Sequence, residues 1–224
     1  MAALGERVAK DVSASIPGTV PCKNMIVLSG VKHLVRCFFF EKTPYSRTFY
    51  LWSSVVPLFN PMKSISLNYG KRLALKPNGQ LFVEVPEDLG LFGKTVGALL
   101  SGGHLQPLLE TDSMEAFLRT FPFDESNERP STILDYGVAN CLAGRLGAGA
   151  RLLERASRSP FVDPFSTQIK ELAVRRLSEL KQGESIFLDA IETCERDNIA
   201  AHFPGMTMPV STPAASAGGA GIRS

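Results

Sequence analysis

Gly93, Lys94 and Thr95 stand together in "PEDLGLFGKTVGALL", just after the strand-like "QLFVEV". Strand, glycine loop, Lys-Thr and helix is the order in which phosphate-cradling loops are built, with backbone N–H groups converging on the anion. The spacing fails at one position. The leading glycine belongs five residues before Gly93, where the chain has Asp88 beside Glu87. Two carboxylates there repel the group that the loop would hold. Such a loop also follows a parallel strand, whereas "LFVEV" reads as the return strand of an antiparallel hairpin. The stretch is therefore expected to be a loop-to-helix junction, with Gly90 and Gly93 allowing a tight turn. An anion or phosphate site near Gly90–Thr95 is the alternative, and would make the chain a small enzyme, a transferase for example.

The other reactive side chains form no recognisable set. His33, His104 and His202 are far apart in sequence, and "LLSGGH" lacks the Gly-x-Ser-x-Gly elbow that exposes a serine nucleophile. "LLSGGH" reads instead as a helix ending at Gly102-Gly103. Cys22, Cys37, Cys141 and Cys194 have neither the spacing nor the histidine neighbours of a structural zinc site. They are expected as unpaired thiols, and neither metal nor cofactor is expected. The acidic pairs Glu87-Asp88 and Asp124-Glu125 read as solvated loop residues.

The basic residues are better organised. Arg151, Arg155 and Arg158 recur at i, i+4 and i+7, on one face of a helix and away from Leu153 and Ala156. Arg145 stands just before that helix, and Arg175, Arg176 and Lys181 fall on the next. Such a stripe is either a solvated face paired to Glu154, Glu171 and Glu179, or a surface for an acidic partner. No aromatic is interleaved among these arginines, which weakens RNA as the partner, because base stacking is usual there. Charge overall decides nothing: 24 Lys and Arg face 22 Asp and Glu.

The elements that would position these residues change character near residue 88. "MAALGERVAKDVSASI" spaces Leu4, Val8 and Val12 as a short amphipathic helix, without the apolar core of a secretory signal. From about residue 20 to 86 the period is two. "LVRCFFFE" and "RTFYLWSSVVPLF" are apolar on both parities, as central strands covered on two faces would be; "IVLSG" adds another. "SISLNYGKRLAL" alternates and is followed by "KPNGQ", whose Asn78-Gly79 is a hairpin signal. The expectation is an antiparallel meander of four or five strands over 20–88, in which Pro57 ends one strand.

Beyond Pro86 the period is helical. A helical connection is expected over 89–122, with Asp112 and Glu115 as a capping box in "DSMEAFLRTF". "FDESNERPS" at 123–131 reads as a joint between modules. Helical hairpins are expected over 130–202, with apolar stripes Ile169, Leu172, Ala173, Leu177, Leu180 and Phe187, Ala190, Ile191, Cys194. The segment 203–224, rich in Pro, Ala, Gly and Ser, is too poor in apolar residues to offset its ordering entropy and is expected to be a disordered tail.

Residues 133–160, "ILDYGVANCLAGRLGAGARLLERASRSP", resemble one tetratricopeptide-type hairpin. Gly137, Gly144, Gly149, Leu153, Ala156 and Pro160 stand near that family's positions. Gly149 replaces an alanine, Asn140 replaces an aromatic, and Pro160 comes one residue early. The resemblance covers this hairpin alone, and it implies helices packed side by side that present a surface to a protein partner.

The fold class expected is α+β, an antiparallel meander followed by antiparallel helical hairpins. The function expected is non-catalytic protein–protein interaction in the cytoplasm, accessory or inhibitor-like, with Arg145, Arg151, Arg155 and Arg158 as contact residues. The partner expected is another protein of acidic character, with nucleic acid the weaker choice. No segment reaches the ~20 apolar residues of a membrane span.

Overall fold

In a computed structural model, residues 3–28, 30–74, 82–126 and 129–206 are described. The chain is α+β. Helix α1 (Leu4–Ser13) leads into strands β1 (Thr19–Cys22), β2 (Met25–Leu28), β3 (Leu34–Lys42), β4 (Thr48–Pro57), β5 (Gly70–Arg72) and β6 (Phe82–Glu84). Helices follow: α2 (Leu89–Gly103), α3 (Leu105–Leu109), α4 (Met114–Thr120), α5 (Pro130–Leu142), α6 (Leu146–Ser157), α7 (Pro164–Gln182) and α8 (Glu184–His202).

The sheet is antiparallel throughout, in the order β1-β2-β3-β4, with β5 and β6 both on the outer edge of β4. The longest ladder sets Leu34 opposite Pro57 and Lys42 opposite Phe49. Pro57 ends β4, as its missing N–H dictates. The both-parity apolar strands are covered on two faces. One core joins α1 and the helices to Phe38, Phe40 and Leu51. A smaller one, with Met25, Val35, Cys37 and Leu58, is closed by Ile199 near the end of α8 and by Phe203 just after it.

One pairing differs from the sequence expectation. Asn78-Gly79 lies outside the described residues, but the strands that it was to join do not face each other. Arg72–Gly70 pair with Trp52–Ser54, and Glu84–Phe82 pair with Thr48–Tyr50. Both segments are antiparallel to β4, so they run the same way, end to end along a single edge. A turn signal says where the chain bends and not which edge it returns to. The strand expected from Ser64 shrinks to three residues, although burial still alternates from half-buried Ile65 to buried Tyr69.

Three further boundaries move. The cap of α4 is Ser113, whose hydroxyl accepts from the N–H of Ala116 at 3.1 Å, one residue after Asp112. The start of the stretch expected as a joint is packed against the helices. Phe123 packs on Tyr136 at 4.9 Å, and one core runs from α1 through the sheet to α8. Ordered packing also extends past 202: Phe203 is fully buried and Met206 packs on the smaller core. Residues 207–224 lie outside the described part.

Two contacts pin the C-terminal helix to the sheet. His33, in left-handed backbone at φ 73°, is hydrogen-bonded through Nδ1 to Glu195, and both are buried. The Nδ2 of Asn198 donates to the carbonyls of Leu58 at 2.7 Å and Asn60 at 2.8 Å, and its Oδ1 accepts from the N–H of Met62 at 3.1 Å. The segment after β4 is thereby held against α8.

Candidate functional site

Gly93, Lys94 and Thr95 lie inside α2, in the second turn of a continuous helix. Asp88 is its N-cap, with its carboxylate accepting from the N–H of Leu91 at 3.1 Å. That carboxylate occupies the place where an anion would bind. Lys94 and Thr95 are exposed, and the Thr95 hydroxyl donates to the carbonyl of Leu91. The glycines serve packing: a Cβ on Gly93 would stand 2.8 Å from the carbonyl oxygen of Asp11, and one on Gly97 2.7 Å from Ser15. Helix α2 crosses α1 so closely that only glycine fits.

The sequence-derived arginines do come together. Helices α5 and α6 pack tightly because Gly137 meets Leu153 and Gly149 meets Cys141. This turns the polar face of α6 outward. Arg145, Arg151 and Arg155 border a depression of about 400 Å³ with Phe123 and Asn140, and Arg151, Arg155 and Arg158 border another of about 430 Å³. Arg155 pairs with Glu125 at 3.1 Å and lies over the Phe123 ring, while Arg158 pairs with Glu154 at 2.6 Å. Among the described residues no ion pair engages Arg145 or Arg151. Arg176 belongs elsewhere: it is buried, pairs with Glu179 at 2.9 Å and donates to the carbonyl of Phe59 at 3.0 Å.

A different cleft was not anticipated. It measures about 590 Å³ and lies between the segment following β4 and the helices α5 and α7. Val56, Leu134, Ile169 and Leu172 form apolar walls, Phe165 stands exposed beside them, and Asp135 lies at the inner end. The Asp135 Oδ1 accepts from Asn60 at 2.8 Å and Oδ2 from the Tyr69 hydroxyl at 3.0 Å. No cation pairs with it among the described residues. Burial pushes its carboxyl up to about 6 against the opposing pull of those two hydrogen bonds. Burial, with the same carboxylate adding to it, drives the Tyr69 hydroxyl upward as well.

Sequence reasoning missed Asp135 for an identifiable reason. Its partners stand 75 and 66 positions earlier in the chain, so no local spacing announces them. The available signal was the placement of an acid between Leu134 and Tyr136 on a helix whose next turn, Val138 and Ala139, is apolar. An acid on such a face must find donors or take a proton.

The architecture defines an α+β protein, an antiparallel sheet with helices packed on one face and the end of α8 and the residues after it closing the other. Comparison with family models, with curated proteins and with solved structures gives no match. Among the described residues, no helix is long and apolar enough to cross a membrane.

Proposed function

We propose that the protein is a non-catalytic, cytoplasmic protein–protein interaction module whose contact surface is the arginine face of α6, and that its partner is an acidic protein segment. The observation that carries this reading is the grouping of Arg145, Arg151 and Arg155 around one depression beside Phe123, with Arg158 on the adjoining rim. A guanidinium presents a planar fork suited to carboxylates, and two of these four have no ion pair among the described residues to break before binding. The tetratricopeptide-like hairpin supports the same reading, since paired helices of that kind present side chains to partners. Phe123 and Tyr136 line the depression with the arginines and are packed on each other, which offers little platform for stacked bases.

The test uses a ten-residue poly-glutamate peptide, a single-stranded RNA of equal charge, and the triple variant Arg151→Glu, Arg155→Glu, Arg158→Glu. Wild type should bind the peptide with an affinity that falls as salt rises. The variant should keep its circular dichroism spectrum and lose binding by about tenfold or more. RNA bound more tightly than the peptide would replace this reading with nucleic-acid binding. Equal affinity of variant and wild type would assign the stripe to solvent.

A further inference from the structure

The cleft ending at Asp135 is separate from the arginine face, and three features determine what it can accept. Its volume, about 590 Å³, is that of a small-molecule site and not of a surface dimple. Its walls are apolar, so an occupant must carry hydrocarbon. At its inner end the donor–acceptor balance is unequal. Asp135 remains partly open to the cleft, and each carboxylate oxygen accepts one hydrogen bond although it can take two. The Oδ1 of Asn60, whose amide group holds Asp135, is buried with no donor. The inner end thus has acceptors in excess and a negative charge without a countercharge among the described residues.

We propose that this cleft binds a small organic cation, a primary amine with an aliphatic or aromatic body, with its ammonium on Asp135 and its body between Leu134, Ile169 and Leu172. Charge complementarity selects the class. An ammonium brings three donors and a positive charge to a carboxylate that has acceptor capacity left beyond Asn60 and Tyr69 and no ion pair among the described residues, and the hydrocarbon removes the apolar walls from water. A carboxylate or phosphate ligand would be repelled by Asp135 at the same spot. Phe165, exposed beside the walls, can fold over the occupant. The clamp is built in advance: Asn60 is held by Asn198 of α8, and Tyr69 is packed edge-on against Phe117 at 4.9 Å. The groups facing Asp135 are Tyr69 and Tyr136, with Lys63, Glu171 and Arg175 along the cleft lining. The Asp135→Asn variant, compared with wild type at two pH values, is what assigns a pH response to Asp135.

Phenethylamine and 2-phenylethanol, which share shape and differ in charge, provide the test by calorimetric or NMR titration of the full chain. At about pH 7.5 the amine should bind saturably and about tenfold more tightly than the alcohol. Near pH 5 Asp135 holds its proton and this preference should disappear while alcohol binding persists. Asp135→Asn should bind amine and alcohol alike at both pH values, and Ile169→Trp, which fills the cleft, should weaken both ligands. Should Asp135→Asn fail to fold, the amine-to-alcohol ratio of wild type at the two pH values decides alone. Equal binding of amine and alcohol at about pH 7.5, or saturation by neither up to about 10 mM, would overturn the proposal.

Discussion

Asp135 shows how a residue suited to binding costs the fold stability. Its ordinary value is 3.8 and its folded value about 6, because the cleft disfavours its charge. Between those values the folded chain holds a proton that the unfolded chain has released, so stability falls as pH rises through this window. Below about pH 4 both states are protonated and nothing is lost. Above about pH 6 the cost is complete, on the order of 2–3 kcal/mol. Asp135→Asn removes the charge at nearly constant shape, and Asn60 can still donate to the remaining carbonyl oxygen. The variant should therefore melt about 5 °C higher than wild type near pH 7.5, with the two curves converging near pH 4. Thermal unfolding monitored by circular dichroism at both pH values checks this, and equal melting temperatures at each would mean that the carboxylate is not disfavoured. At this scale the sequence was uneven. The arginines were legible because they repeat at helical spacing within one helix. Asp135 was not, because its chemistry is made by residues from another part of the chain.

The same glycine means different things on different elements, and α6 separates the cases. A Cβ on Gly149 would lie 2.6 Å from the carbonyl oxygen of Gly137 and 2.3 Å from the Cys141 sulfur. The first of these is backbone, and it can yield only by moving α5 away. A Cβ on Gly147 would meet nothing closer than the Arg151 guanidinium at 3.9 Å. Gly149→Ala should thus destabilise by about 1–3 kcal/mol through overpacking. Gly147→Ala should be neutral or stabilise by up to about 1 kcal/mol, since alanine favours the helix. Urea denaturation of the two variants, one turn apart at most, makes the comparison; equal effects would show that the α5–α6 crossing is looser than the geometry requires. The pairing of these helices was readable from periodicity, and so were the two-sided strands β3 and β4. The arrangement of β5 and β6 was not, because both segments alternate correctly for either partner and only the free edge of β4 selects between them.

At the scale of the molecule, the end of the chain finishes what its beginning leaves open. Strands β1 to β4 bury one face against α1 and the helical layer, but the other face holds Met25, Val35 and Cys37, which Leu58, Met62 and Ile65 of the segment after β4 cover in part. Ile199 and Phe203 complete that cover, and His33–Glu195 and Asn198 fix its position. The α8 end is therefore part of the sheet's core and not an appendage to the helical hairpins. It also orients Asn60, and through it Asp135, so the cleft depends on the same closure. Composition placed the end of the folded chain at 202, because one aromatic followed by Pro, Gly and Met gives too weak a local signal to reveal a contact with a distant sheet. Phe203→Ala would leave a cavity in a fully buried position and should cost about 3–5 kcal/mol, lowering the melting temperature by about 10 °C. Truncation after Met206 removes only residues that lack an apolar stripe, and should change it by no more than about 2 °C. Differential scanning calorimetry of the two proteins separates the contributions. If Phe203→Ala melts with wild type, the sheet's second face is not sealed by the chain's end; if the truncation instead melts far lower, residues beyond 206 share in the seal.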